Sequence, residues 1–81
     1  MAKMRVLSAR GDTVLEWDER KLHTADPEAL AAVREAERIF EEQRSRGATA
    51  FIVEQDKPAR KIDSFDRTAE QIIVVPRVAG G

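Results

Sequence analysis

The residues of this chain best suited to chemistry are its last six, Pro76-Arg77-Val78-Ala79-Gly80-Gly81. Two successive glycines carry no side chains, so a segment ending in them can thread a narrow channel and bring its carboxylate against a nucleotide or a thiol without steric clash. A carboxylate is a poor acyl donor until it is activated, and activation by adenylation would be the work of a partner. Pro76 removes a backbone donor and so ends whatever strand precedes it. The residues after it are too small and too few to build another element. The chain is therefore expected to leave its folded body at residue 76 as a tail, giving a domain over 1–75 and a flexible segment over 76–81. Gly81 and Gly80 would be the acyl-carrying end, and Pro76, Arg77, Val78 and Ala79 the stretch a partner recognises. The plain alternative is a glycine-rich end of no consequence, since chain ends are often of this kind.

No other constellation in the sequence competes. There is no cysteine, hence no disulfide, thiolate nucleophile or cysteine-based zinc site. His23 is the only histidine and stands in a charged stretch, where a lone imidazole builds no metal site. The many Asp and Glu residues sit on no recognisable acid–base motif, and those between Pro27 and Arg46 are interspersed with arginines, as on a solvated and mutually paired helix face. Trp17 is expected to pack in the core or at a sheet edge, with a partner surface as the less favoured use. No catalytic residue is assigned, no cofactor is expected to be bound, and an enzymatic role is not expected.

Composition narrows the setting. Eighty-one residues suffice for one hydrophobic core and not for two. Fourteen basic residues against fifteen acidic ones, spread from Lys3 to Arg77 without a dense cluster, disfavour a nucleic-acid partner. The apolar run Ile72-Ile73-Val74-Val75 is too short to span a bilayer, and the first residues lack the apolar stretch of a signal peptide. A cytoplasmic protein with no membrane partner is expected.

The elements that must position the tail are legible from pattern. Met4 to Ala9 alternates apolar and polar residues, and Thr13 to Trp17 is rich in β-branched and aromatic types, with Arg10-Gly11-Asp12 between them: a hairpin. Asp18 to Ala25 reads as a connecting loop. Asp26-Pro27-Glu28 then combines a cap, a proline suited to the first helical turn and an acid at the positive helix end, predicting a helix from Pro27 to about Arg46. Its apolar stripe is Leu30, Val33, Ala36 and Phe40, joined by Ala29, Ala32 and Ile39. Gly47 suits the left-handed position after its end. Ala48 to Glu54 reads as a strand around Phe51-Ile52-Val53, and Arg60 to Asp63 as a short polar edge strand. Ser64 to Glu70 is irregular, with Phe65 anchored in the core. Gln71 to Val75 is the most apolar run, predicting a central strand buried on both faces. Hairpin, helix and further strands, with the last strand parallel to the first and beside it, make a mixed four- to five-stranded sheet packed on one helix. Leu7, Leu15, Ile52 and Ile62, or their neighbours, are the candidates for an exposed face of that sheet.

This element order is that of the β-grasp, an α+β fold, and the stretch Ile72 to Gly81 resembles the C-terminus of a ubiquitin-like family within it. It is similar to the small subunit of molybdopterin synthase and to the sulfur carrier of the thiamine pathway, where an apolar last strand runs into a tail ending in Gly-Gly. Ser64-Phe65-Asp66 is similar to the turn before the last strand in the former. The resemblance implies that Gly81 is adenylated by a ubiquitin-activating-type enzyme that uses ATP and is then converted to a thiocarboxylate for sulfur transfer in cofactor synthesis. A synthase large subunit would be a further partner, docking on the open sheet face. Arg77 in place of a second proline, and Arg67-Thr68-Ala69-Glu70 in place of an acidic-glycine turn, leave room for a bacterial ubiquitin-like modifier joined to protein lysines and removed by a deconjugating protease. A non-conjugated interaction domain is the third reading.

Overall fold

The helix-start signal at Asp26 is realised as written. In the computed structural model, which describes residues 1–77, the Asp26 carboxylate accepts a hydrogen bond from the Ala29 N–H at 3.1 Å, and Pro27 opens a helix (α2, Pro27–Ser45). Ala29, Val33, Ala36 and Phe40 form its buried stripe, so Ala29 rather than the half-buried Leu30 heads it. The helix closes in a Schellman arrangement. Gly47 takes φ +91°, its N–H reaches Arg44 O at 2.9 Å, and the Ala48 N–H reaches Gln43 O at 3.0 Å.

The remaining elements are β1 (Ala2–Val6), β2 (Thr13–Trp17), α1 (Glu19–Leu22), β3 (Thr49–Val53), β4 (Arg60–Ile62) and β5 (Gln71–Val75). They form a five-stranded mixed sheet in the order β2-β1-β5-β3-β4, a β-grasp-like α+β arrangement. β5 is central. It runs parallel to β1, with Met4 beside Ile72 and Val6 beside Val74, and antiparallel to β3, with Thr49 opposite Val75 and Ile52 opposite Ile72.

Three expectations are corrected. The first strand begins at Ala2 and ends at Val6 rather than running from Met4 to Ala9. Ala2 is buried opposite Trp17, whereas Ser8 accepts the Arg10 N–H on its hydroxyl and the Gly11 N–H on its carbonyl, turning the chain out of the sheet. The stretch Asp18 to Ala25 is not all loop: Asp18 caps the single turn α1 by accepting the Arg20 N–H at 3.0 Å. No residue of α1 is buried, so no periodicity announced it. The central strand is not buried on both faces either. Ile72 and Val74 are fully buried under α2, but Gln71, Ile73 and Val75 are half-buried on a face that no other layer covers among the described residues.

The core lies between α2 and one face of the sheet. Met4, Ile72, Val74, Ala50, Ala36 and Phe40 are each wholly excluded from solvent there. Phe65, from the irregular segment before β5, is anchored as its sequence context suggested, edge-on to Phe40 at 5.7 Å between ring centres and tilted against Trp17 at 5.8 Å. Trp17 is a core residue, and its indole N–H donates to Arg67 O at 3.1 Å. That bond ties β2 to the turn leading into β5 and satisfies a donor that burial would otherwise strand.

The turn is set by Asp66. Its carboxylate accepts the Thr68 hydroxyl at 2.6 Å and the Thr68 N–H at 2.9 Å, and these two bonds, the hydroxyl foremost, hold its carboxyl below the usual carboxylate range. A depressed folded-state pKa contributes stability that is present above the unfolded value and lost as pH falls through the folded one. Asp66→Ala should therefore destabilise the protein at neutral pH, and the gap to wild type should close as pH falls through the folded-state pKa, read by urea unfolding across the acid range. The two faces of β5 give a second test. Ile72→Ala is expected to cost about 2–5 kcal/mol as a core truncation, and Ile73→Ala clearly less, in the same unfolding experiment.

Candidate functional site

The site the sequence points to is the end of β5 together with the residues beyond it. Gln71 to Val75 is hydrogen-bonded on both sides, by β1 and by β3, and the parallel ladder continues past β1 through the Leu7 N–H to Val74 O bond at 3.0 Å. The strand that carries the C-terminal segment is thus the central one of the five, bonded along both edges. At Pro76, half-buried, the ladder loses its donor, and Arg77 is exposed. Val78, Ala79, Gly80 and Gly81 lie outside the described residues.

Beside this exit lies a cleft of about 340 Å³ lined by Leu7, Ser8, Ala9, Val75, Pro76 and Arg77. Its apolar wall comes from the end of β5 and from the segment after β1, which the parallel pairing brings alongside. On the other flank stands the C-terminal end of α2. Arg44 fixes it there, donating from Nη1 to Ala48 O at 2.9 Å and from Nη2 to Asp63 Oδ1 at 3.2 Å, so that one guanidinium links the helix end to the start of β3 and to the residue after β4.

The open face of the sheet adjoins the exit. Leu15, Ile52 and Ile62, expected among its candidates, instead face α2: Leu15 and Ile62 pack against the core and Ile52 lies in it. Leu7 lies past the end of β1, in the wall of the cleft. Their strand neighbours occupy the open face. Across its middle, the register sets Val14, Arg5, Ile73, Phe51 and Lys61 side by side, with Val75 and Val53 on the flanking rows. Among the described residues, Lys3, Arg5 and Lys61 give this face three strand cations against the single strand carboxylate of Glu16. Arg5 reaches Asp12 only at 3.9 Å, and its Nε is buried without a hydrogen-bond partner. An apolar centre with a cationic surround suits a partner surface that is apolar within and acidic at its rim.

The other sequence candidates are placed apart from this region. His23 is exposed just after α1, and among the described residues no group of three His, Cys, Asp or Glu side chains is arranged to hold a metal ion. Asp18 is held below the ordinary carboxylate range chiefly by the Arg20 N–H, a consequence of its capping role. No helix among the described residues is long and apolar enough to cross a membrane. Sequence reasoning missed Arg44 as a cross-link, Ile73 in the centre of the open face and Gly47 as a neighbour of the exit, and it reached Phe51 only as a neighbour of Ile52. Strand register, which turns on pairing rather than composition, sets Phe51 and Ile73 there, and the packing of the end of α2 places Arg44 and Gly47. No family model, no curated protein and no solved structure matches this chain.

The two bonds of Arg44 differ in worth. The one to Ala48 O is partly buried, while Asp63 is largely exposed. Arg44→Ala should cost about 1.5–3 kcal/mol, as for the loss of a charged hydrogen bond, and Asp63→Ala at most about 1 kcal/mol, measured by urea unfolding.

Proposed function

We propose that the chain works as a ubiquitin-like carrier that presents the Gly81 carboxylate to an activating enzyme and is not itself a catalyst. One observation carries this reading: the Gly80-Gly81 pair ends six residues after Val75 in the sequence, beyond a proline, on the strand anchored from both sides in the middle of the sheet. A rigid root followed by a side-chain-free end is what a partner needs if its catalytic pocket must receive an acyl group carried on a body too large to enter.

The chemistry is that of acyl activation. The Gly81 carboxylate attacks the α-phosphorus of ATP held by the partner, pyrophosphate leaves, and the acyl adenylate then loses AMP to a nucleophile. Sulfide supplied by the partner displaces AMP at the acyl carbon and leaves a thiocarboxylate, and this chain becomes a sulfur carrier for cofactor synthesis. A lysine amine leaves an isopeptide, and the chain becomes a modifier of other proteins, released again by a deconjugating protease. Arg77 next to Pro76, and the 19-residue α2, favour keeping the modifier reading open beside the sulfur-carrier one. In either case the open face supports docking of the activating enzyme, with Phe51 and Ile73 against its apolar surface and Lys3, Arg5 and Lys61 against its acidic rim.

Intact-mass spectrometry of the chain recovered from its native cells tests this directly. Replacement of one oxygen by sulfur at the C-terminus is expected for the sulfur carrier, and Gly81 in isopeptide linkage to lysine in digests for the modifier. A C-terminus that stays an unmodified carboxylate in the presence of a competent activating enzyme, with full function retained after deletion of Gly80 and Gly81, would leave a non-conjugated interaction domain as the answer.

A further inference from the structure

Gly47 and Arg77 lie opposite each other in the continued register of β3 and β5. Thr49 and Val75 are the last pair of that antiparallel ladder, and counting two residues on in the same register sets Gly47 opposite Arg77. The backbone pairing of β3 with β5 stops at that pair, and no backbone bond joins residue 77 to residue 47. A side-chain contact takes over. A methyl group on Gly47 would stand 3.0 Å from Arg77 Cδ, 3.6 Å from Cβ and 3.7 Å from Nη1, so the arginine stem fills the space that any other residue at position 47 would claim. Gly11 offers the contrast. It too has a left-handed backbone, at φ +119°, but nothing lies within 4 Å of where its Cβ would be. The absence of a side chain at 47 thus serves both the helix cap and the seating of Arg77, whereas at 11 it serves the turn alone. The placement also brings a guanidinium to the C-terminal end of α2, where the partial negative charge of the helix favours a cation.

We propose that Arg77 is a positioning residue: its stem, seated in the notch at Gly47, lays the root of the C-terminal segment along the last turn of α2 and fixes the direction in which the chain leaves the body. This rests on the reading of Gly81 as the reacting end, since only then does that direction matter to a partner. A partner would receive the segment already aimed and would have less chain entropy to remove on binding. Charge and stem both contribute, the first by the helix end and the second by fit against Gly47.

The test is NMR on the full chain, with Arg77→Ala, Arg77→Lys, Gly47→Ala and Gly11→Ala as variants. In the wild type, a nuclear Overhauser contact between the Arg77 δ-protons and the Gly47 α-protons is expected, together with a heteronuclear NOE at the Arg77 amide close to that of Val75. In Arg77→Ala and Gly47→Ala the amide value at position 77 should drop toward that of a free end, and Arg77→Lys should restore most of it. Gly11→Ala, which strains the backbone without touching residue 77, should leave it unchanged. The melting temperature of Arg77→Ala should fall by only a few degrees, whereas a role in the core would lower it much further. Absence of the contact, a wild-type residue 77 as mobile as in Arg77→Ala, or equal loosening by Gly11→Ala would each overturn the proposal. If Gly47→Ala does not fold, the two Arg77 variants decide the matter. If Gly81 proves never to be modified, the carrier reading fails, while these spectra still decide whether the latch exists.

Discussion

The structure depends on β5 being held from both sides. Backbone bonds to β1 and β3 fix its position in the plane of the sheet, and Ile72 and Val74 pin it from below against α2. A strand with hydrogen-bonded neighbours on both edges and one face in the core has little freedom to fray. Pro76 and Arg77 follow directly from this anchored strand. The cleft lined by Leu7, Val75 and Pro76 exists because β1 runs parallel to β5, and the proximity of Gly47 to Arg77 exists because β3 runs antiparallel to it.

The two faces of the sheet differ in burial and in charge. On the helix side, alternate residues of four strands meet Val33, Ala36 and Phe40, and the aromatic set of Trp17, Phe40 and Phe65 closes the core at the side where β2 lies. On the other side the same alternation leaves Val14, Ile73 and Phe51 beside Lys3, Arg5 and Lys61. Charge is also divided between the sides. The outer surface of α2 carries Glu28, Glu35, Glu37, Glu41 and Glu42, partly offset by Arg34 and Arg38, whereas the open face is mainly cationic. A chain of net charge −1 is thus polarised across its sheet, so that its field differs in sign between the two sides.

Much of this is legible in the residues and some of it is not. Asp26-Pro27-Glu28 and Gly47 mark the ends of α2 because caps are local: the donor, the acceptor and the required backbone angle lie within a few residues of each other. The apolar run Gln71 to Val75 marks the central strand for the same reason. Its continuity overstates its burial, however, since two burial states share it. Ile72 and Val74 are core, and Ile73 and Val75 are apolar on an uncovered face, a difference that composition does not encode. The single turn α1 escapes because four residues, of which only Leu22 is apolar and packs against the core, leave no periodic trace.

By itself, then, the sequence determined the number and order of the major elements, the position of the helix, the centrality of the last strand and the chemical character of the Gly80-Gly81 end. Those come from local propensity, hydrophobic period and the rules of chain connection, all of which are written in neighbouring residues. Tertiary structure alone decided that Leu15, Ile52 and Ile62 turn inward while Phe51 and Ile73 turn outward, that Arg44 bridges three elements, and that Arg77 comes to rest beside Gly47. The physical reason is strand register: because side chains alternate with a period of two, a shift of one residue exchanges the faces, and that shift is settled by pairing between segments far apart in the chain.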